Sequence, residues 1–168
     1  MQIATIDFRA AVIRLSLGLA ALTTAWATQA ADPQIYATKN GAIRGYDTVA
    51  YFSLQPDDKA VKGSDEFTHE YMGATWKFAS AENRDLFAAD PEKYAPQYGG
   101  YCAFAVSHNF TKSVNPNVWE IVDGKLYLNF NGIAYRKWSK DLEGSIVRGD
   151  QNWPNVLTSC EEHNNCRS

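Results

Sequence analysis

The stretch Val118-Trp-Glu-Ile-Val-Asp-Gly-Lys-Leu-Tyr-Leu-Asn-Phe130 says most about the fold of this 168-residue chain. Two arms rich in aromatic and branched aliphatic residues flank the dipeptide Asp123-Gly124. Both central residues of a two-residue type I′ turn need positive φ, and Asp-Gly is one of the pairs that adopt it. The stretch therefore predicts a β-hairpin.

A second hairpin is predicted closer to the N-terminus. Phe67-Thr-His-Glu-Tyr71 alternates large and polar residues, and Ala74-Thr-Trp-Lys-Phe78 alternates again. This period of two is typical of half-buried strands. Met72-Gly73 lies between the two arms, where the turn is expected.

Short helices are predicted after the second hairpin. Ser80 is a good N-cap for a helix over residues 81–89, on which Leu86 and Phe87 are expected to face inward. Asp90 caps a second short helix, residues 91–94, whose first position is a proline. Periodicity alone does not decide whether the run over residues 101–106 is a strand or a buried helix.

A final amphipathic helix is predicted from Ile133 to about Gly149, with Asn131 as its cap. Gly144 is the expected position of a bend or a split. One face of this helix carries large apolar residues three and four positions apart: Tyr135, Trp138, Leu142 and Ile146.

Together these elements predict one α+β domain over residues 41–155. Its parts are a small antiparallel sheet built from hairpins, short helices and the C-terminal amphipathic helix. The chain has a net charge of −3 and contains 5 Trp, 9 Tyr and 8 Phe, which indicates an aromatic core. No stripe of Lys and Arg is present, so nucleic acid is excluded as a partner.

The first 30 residues have the pattern of a cleavable signal peptide. Two arginines precede an apolar run from Leu15 to Trp26, and small residues follow up to Ala30. The run is shorter than the roughly 20 residues that a transmembrane helix needs. We therefore expect a periplasmic or secreted protein that is not embedded in a membrane after cleavage. Residues 31–40 are expected to form a flexible leader.

The cysteines, 3 in all, are an odd number for an oxidising compartment. Cys160 and Cys166 lie close together in a polar tail, residues 156–168, and are expected to form a disulfide with each other. Cys102 is then without a disulfide partner. Three interpretations of it are open, namely a packed core residue, a metal ligand and a reactive thiol.

Cys102, His69 and His108 are the candidate metal ligands. Thiolate and imidazole are the donors that Cu(I) and Zn(II) prefer. The chain has no CxxC motif, which excludes a closed structural zinc site unless the tail contributes. Each histidine also has an ordinary interpretation, because His69 can be hydrogen-bonded within its strand and His108 can be exposed in a loop.

A second candidate site is an organic-ligand pocket lined by Tyr46, Asp47, Tyr98 and Tyr101. The competing interpretation is that the tyrosines belong to an aromatic core and that Asp47 caps a helical turn. A Cys-His-Asp catalytic set can be written from Cys102, either histidine and Asp47, but nothing in the spacing supports it. No residue is assigned a catalytic role.

Four segments of the chain resemble the exported YHS-domain proteins of bacteria: Gly45–Phe52, Trp76–Phe87, Asp90–Ala103 and Asp123–Asn129. The resemblance extends from about Asn40 to Pro154. It implies a small α+β fold and an association with heavy-metal handling. The shorter members carry several cysteines in a treble-clef-like metal site, where this chain instead has Tyr71, Trp76 and Phe78 and keeps only Cys102.

The sequence thus favours an exported, non-enzymatic binding protein that takes a transition-metal ion, copper before zinc, through Cys102 and a nearby histidine. Two alternatives stay open. One is a thiol-dependent enzyme that uses Cys102, and the other is a module that binds a small organic molecule. A metal ion or a small molecule is the expected partner, and no particular protein partner is indicated.

Overall fold

The computed structural model describes residues 33–56 and 58–158. The signal pattern and the pair Cys160 and Cys166 lie outside the described residues. The strands are β1 (Ala37–Thr38), β2 (Gly41–Ala42), β3 (Ser64–Tyr71), β4 (Ala74–Phe78), β5 (Asn115–Val122) and β6 (Lys125–Asn129). The helices are α1 (Ala81–Ala89), α2 (Pro91–Tyr94), α3 (Ala103–Val106), α4 (Gly132–Lys140) and α5 (Leu142–Asn152). This mixture confirms the α+β class.

Both predicted hairpins are confirmed. The turn of β3–β4 has φ of 50° at Met72 and 74° at Gly73, and the turn of β5–β6 has 49° at Asp123 and 73° at Gly124. The two hairpins do not share a sheet, however. The described strands form three separate antiparallel pairs, β1–β2, β3–β4 and β5–β6, because helices and loops pack between the hairpins.

The predicted helix caps are confirmed. Ser80 Oγ accepts a hydrogen bond from the Asn83 backbone N–H at 3.2 Å, and Asp90 Oδ1 accepts one from the Lys93 N–H at 3.2 Å. Asn131 Oδ1 accepts from two backbone N–H groups, those of residues 133 and 134, at 3.0 and 2.9 Å. These side chains satisfy donors that a helix start otherwise leaves open.

One of the two apolar side chains predicted to face inward on α1 is exposed. Phe87 is fully buried against the rings of Trp76 and Phe78, whereas 42% of the Leu86 surface is accessible. Helix α1 packs on the β3–β4 hairpin along one face, and consecutive helical residues point about 100° apart. The prediction for Leu86 was therefore wrong.

Residues 101–106, for which periodicity did not decide between a strand and a helix, end in the helix α3. The single C-terminal helix is instead two helices, α4 and α5, separated at Asp141 with φ −132° and ψ 64°. The predicted split thus occurs three residues before Gly144. The apolar face is retained, because Trp138 is buried and Leu142 packs against the same cluster.

Successive residues of β6 point into two hydrophobic clusters on opposite faces of the β5–β6 hairpin. Leu126 and Leu128 belong to a first cluster with Tyr51 and Trp76, whereas Tyr127 belongs to a second cluster with Trp138. Strand alternation produces this division. The hairpin is therefore buried on both faces along β6 and is a rigid support for neighbouring loops.

Packing extends beyond residues 41–155 in both directions. Ile35 is 4% exposed, and the Tyr36 N–H donates to the Gly99 carbonyl at 2.8 Å, so this part of the expected leader is packed. Val156 and Leu157 are buried in the second cluster, although the polar tail was assigned from residue 156. Among the described residues, no helix is long and apolar enough to cross a bilayer.

Candidate functional site

Cys102 lies immediately before α3, with 1% of its surface exposed. Its thiol donates to Asn129 Oδ1 at 3.6 Å, and its sulfur accepts from the Phe130 N–H at 3.3 Å. Burial raises the pKa of the thiol more than the surrounding backbone N–H groups and Lys112 lower it. The thiolate is the nucleophilic and metal-binding form, so this environment favours the inert thiol.

A small cavity of about 220 Å³ adjoins Cys102. Its other walls are mostly apolar and include Phe104, Phe110 and Phe130. Phe130 is 40% exposed at the mouth. The buried sulfur therefore has its polar partners on one side, Asn129 Oδ1 and the Phe130 N–H, and a mostly apolar cavity beside it.

The two candidate histidine ligands lie on β3 and just beyond the far end of α3. His69 is in the middle of β3, and its ring packs edge-on against Phe87 with centroids 5.9 Å apart. His108 follows α3, is exposed, and its Nδ1 lies 2.9 Å from the Phe104 carbonyl oxygen. Among the described residues, no group of three or more His, Cys, Asp and Glu side chains could hold a metal ion. As placed, these residues do not fit a copper or zinc site built from several side chains.

Asp47 is a fully buried structural carboxylate. Its Oδ1 accepts from the N–H groups of Val49 and Ala50 at 2.9 and 3.1 Å, which confirms the cap interpretation. Its Oδ2 accepts from the Ala79 N–H at 2.8 Å and from Asn83 Nδ2 at 2.7 Å. No histidine is among these donors, so the carboxylate does not form part of a Cys-His-Asp arrangement.

The structure does not bring the four residues of the expected organic-ligand pocket together. Tyr46 lines one surface cavity, with Lys62, and Tyr98 lines another. Tyr98 donates to Asp150 Oδ1 at 2.9 Å, and Tyr101 donates to the Pro33 carbonyl at 2.9 Å. With Asp47 fully buried, no common pocket is formed.

A cavity of about 400 Å³ whose lining includes four aromatic residues lies beside β5. We call it the aromatic cavity. Among the described residues, β6 is the only strand paired with β5, so the cavity borders the other edge of β5. Its lining comes from the segment after Asp47, from β5 and from α4: Tyr51, Phe52, Leu54, Pro56, Asn117, Val118, Trp119, Glu120, Ile121 and Tyr135.

Hydrogen bonds hold the walls of the aromatic cavity in place. The buried Tyr51 hydroxyl donates to the Pro116 carbonyl at 2.8 Å. Trp119 Nε1 donates to the Asp58 carbonyl at 3.1 Å, and the Ala60 N–H donates to Asn117 Oδ1 at 2.9 Å. The rings of Tyr51 and Trp119 meet edge-on with centroids 5.3 Å apart. The cavity is therefore formed before any ligand arrives.

Glu120 is the only acidic residue in the described lining of the aromatic cavity. Its Oε2 is completely buried and has no hydrogen-bond partner. None of the ion pairs among the described residues includes Glu120. Glu120 as a residue is half-buried, so its carboxylate is only partly removed from water.

The sequence contained only a weak signal for this site. Glu120 is a single charge between Trp119 and Ile121, in an otherwise apolar strand arm, where alternation alone assigns it to the solvent side. Glu120 pairs with Tyr127, whose ring packs against Trp138 of α4, so α4 lies on this face of the hairpin. The hydrogen bond from Tyr51 to the Pro116 carbonyl joins residues 65 positions apart, so no local pattern predicts this contact.

A model of the YHS domain family matches residues 55–98. The match covers the β3–β4 hairpin, α1 and α2, and ends before Cys102 and the β5–β6 hairpin. No curated protein and no solved structure matches the chain.

Proposed function

We propose that this chain, with its YHS domain at residues 55–98, is a binding protein that holds a small organic molecule in the aromatic cavity. The observation that carries the proposal is the cavity beside β5, about 400 Å³ in volume and walled by Tyr51, Phe52, Trp119 and Tyr135. Cavities of roughly 300–1,000 Å³ with mostly apolar walls and few polar groups are typical small-molecule sites.

The hydrogen bonds that fix Tyr51 and Trp119 support binding by a preformed site. A site whose walls are already ordered loses little side-chain entropy when a ligand enters. Aromatic rings also offer large contact areas to a flat or apolar ligand. The cavity can therefore bind weakly polar molecules without rearrangement of β5.

The side chains of the aromatic cavity favour binding over catalysis. Its described lining has no Ser, Cys, Thr, Lys or His, and thus no pair of nucleophile and base. Cys102 lies in a different cavity, and its thiol donates to an amide oxygen rather than to a histidine. These contacts support a binding role over a thiol-dependent enzyme.

A fragment screen by ¹H–¹⁵N NMR on the folded protein tests the proposal. Small aromatic fragments should shift the Trp119 indole N–H signal and the backbone signals of residues 118–121. Leu54→Trp, which fills the cavity, should abolish these shifts, whereas Val147→Trp on the exposed side of α5 should leave them unchanged. Fragment binding that persists in Leu54→Trp with unchanged affinity would refute the proposal.

Copper or zinc handling through Cys102 is the second candidate. The YHS match favours it, together with the position of the Cys102 sulfur at a cavity. Metal binding there would have to release the thiol proton, whose pKa burial raises. Titration of the protein with Cu(I) and with Zn(II), beside Cys102→Ser, tests this candidate, because equal binding by both proteins removes Cys102 from the role.

We also propose that the protein acts in the periplasm or outside the cell. The signal pattern of residues 1–30 supports this location, and the expected pairing of Cys160 with Cys166 is consistent with an oxidising compartment. The mass of the mature protein tests both points. A mature N-terminus at Ala31 and the loss of two protons from the tail peptide are expected, and an uncleaved chain would contradict export by this route.

A further inference from the structure

We infer that a second cavity, which we call the cationic cavity, binds a small phosphate monoester, with the phosphate group held by Arg44 and Lys62. The cationic cavity has a volume of about 410 Å³ and shares no described lining residue with the aromatic cavity. The inference therefore does not depend on the proposed function. Two features carry it, the charges in the lining and the strained backbone at Arg44.

The first feature is an excess of positive charge. Arg44 and Lys62 are the charged residues in the described lining of the cationic cavity, which contains no Asp or Glu. None of the ion pairs among the described residues includes either of them, whereas Arg84 and Arg148 each pair with a carboxylate, at 2.7 and 3.0 Å. The protein as a whole has a net charge of −3, so this concentration of cations is local.

The charged ends of both side chains lie against the walls of the cationic cavity. Arg44 Nη1 donates to the Val114 carbonyl at 3.3 Å, and Lys62 Nζ lies 5.9 Å from the centre of the Tyr46 ring. Val114 and Tyr46 both belong to the lining. Lys62 also forms an antiparallel β-bridge with Tyr46, which follows Arg44 closely in the chain. Arg44 and Lys62 are both exposed, so an anion reaches them from solvent.

The second feature is the backbone that carries Arg44. Ile43, Arg44 and Gly45 are consecutive residues in the left-handed region, with φ of 49°, 62° and 79°. Glycine enters this region readily, whereas a β-branched residue is rarely found there. Tertiary contacts hold the segment, because Ile43 is fully buried and its N–H donates to the Tyr36 carbonyl at 3.0 Å. The Gly63 N–H donates to the Gly45 carbonyl at 3.0 Å.

The strain indicates that the side chain of Arg44 has a use. Strained backbone that the surrounding structure maintains is concentrated at ligand sites. Gly and Asn are the residues that a left-handed backbone favours, so local conformation does not explain an arginine here. A guanidinium offers five N–H donors in a fork that matches phosphate. In the described structure, only Nη1 of Arg44 has an acceptor, the Val114 carbonyl.

A phosphate monoester matches this lining better than other anions. Two positive charges without a carboxylate are balanced by a dianion, and a phosphate monoester carries about −1.5 to −2 at pH 7. A single carboxylate balances only part of that charge. Val114, Pro116 and Phe130 supply apolar walls, and a phosphate group alone fills only part of the volume. The ligand therefore has an organic body beside its phosphate.

Three probes test the class of ligand in a low-salt buffer, because salt screens exposed charges. Phenyl phosphate and phenyl sulfate are similar in shape and differ in charge, and inorganic phosphate lacks the ring. The backbone ¹H–¹⁵N signals of residues 44–46, 62, 114 and 115 report on the cationic cavity, and the Trp119 indole N–H reports on the aromatic cavity. Phenyl phosphate should shift the first set and bind at least about threefold more tightly than either other probe.

Arg44→Gln and Lys62→Gln each remove one charge. Each should weaken phenyl phosphate binding by at least about threefold, whereas Lys125→Gln, at an exposed position of β6, should leave it unchanged. Arg44→Asn should lose as much binding as Arg44→Gln and melt at the same or a higher temperature, because Asn tolerates the left-handed region. Circular dichroism melts of all four variants separate a loss of charge from a loss of fold.

The contradicting outcomes are distinct. Phenyl phosphate that binds all variants equally, binds none, or shifts only Trp119 would overturn the inference. Equal binding of the phosphate and sulfate esters would overturn the assignment to a dianion, and equal binding of inorganic phosphate would overturn the organic body. Binding to vesicles that contain phosphatidic acid, without a response to phenyl phosphate, would assign the cavity to a lipid surface instead. The fragment screen tests the proposed function separately, because it reports on Trp119 and not on residues 44–46.

Discussion

Two carboxylates, the fully buried Asp47 and the half-buried Glu120, differ in what surrounds them. The Asp47 oxygens accept four hydrogen bonds at 2.7–3.1 Å, from residues 49, 50, 79 and 83. Glu120 Oε2 is equally inaccessible and accepts none. Of the two, only Glu120 lines a cavity large enough for a ligand.

This difference separates a carboxylate that holds segments of the fold together from one that does not. Asp47 joins its own turn to the end of β4 and the start of α1, so its charge is used to hold three segments together. Buried polar groups in native proteins are nearly always satisfied, and an exception marks a site where something else binds or where energy is spent for function. The environment, rather than the residue type, distinguishes the two carboxylates.

Asp47→Ala is expected to have the largest effect. It leaves four donors without their acceptor, so the free energy of unfolding should fall by about 2–4 kcal/mol in urea titrations. Asp85→Ala on the exposed side of α1 is the matched control and should change stability by less than about 0.5 kcal/mol. Equal effects of the two variants would show that Asp47 is not the link described above.

Alkaline pH is expected to have the next largest effect on stability, and Asp47 is one of the groups that influence Tyr51. Burial raises the pKa of Tyr51, with smaller contributions from Tyr46 and Asp47. Burial also raises the pKa of Tyr98. It raises the pKa of Tyr127 to about 12. The folded state therefore holds these protons more tightly than the unfolded chain, whose tyrosines have a pKa of 10.0. Their stabilisation is complete below that pH and is lost as the pH rises through the folded values.

Urea unfolding from about pH 8 to about pH 11 measures this loss. The midpoint should fall above pH 10.0, and Tyr51→Phe should weaken the dependence because it removes one of the late-titrating phenols. A midpoint that stays constant across this range would contradict the buried state of the three hydroxyls.

Cys102→Ala should lower the free energy of unfolding by less, about 1–2 kcal/mol. It removes a small buried side chain and the acceptor of the Phe130 N–H. The thiol resembles Asp47 in making its contacts within the fold. In the wild-type protein, a thiol reagent should therefore label Cys102 only at the rate of unfolding. Rapid labelling of the folded protein at neutral pH would support a reactive or metal-binding thiol instead.

Glu120→Gln should have the smallest effect on stability. Because Oε2 accepts no hydrogen bond, removing the charge leaves the free energy of unfolding within about 0.5 kcal/mol of the wild type or raises it slightly. Asp47→Asn provides the comparison, since one amide nitrogen would then face backbone donors, and should cost at least about 1 kcal/mol. A loss of more than about 2 kcal/mol in Glu120→Gln would mean that Glu120 is structural.

Local signals predicted much of the secondary structure. The Asp-Gly and Met-Gly turns, the caps at Ser80, Asp90 and Asn131, and the short α2 depend on residues within a few positions of each other, so they could be found in the sequence. The exposure of Leu86 could not, because it depends on which face of α1 meets β4. The break at Asp141 could not either, since helical periodicity continues through it.

The candidate site was less predictable than the fold. Cys102, His69 and His108 were grouped by their chemistry; the structure places Cys102 and His108 at opposite ends of α3 and His69 on β3. The aromatic cavity combines residues from three segments that are up to 84 positions apart, Tyr51 to Tyr135, and none of them forms a motif. Only the packing of these segments around β5 brings Glu120 and the aromatic residues to one cavity.

The sequence by itself determined the α+β class, the two hairpins, the helix starts and the YHS resemblance, because each depends on local backbone preferences or on short motifs. The tertiary structure alone decided that the hairpins pack separately, that Cys102 is buried and that Glu120 is among the residues lining a cavity. Burial and hydrogen-bond satisfaction arise from contacts between distant segments, and these contacts set the chemistry of an ionisable group.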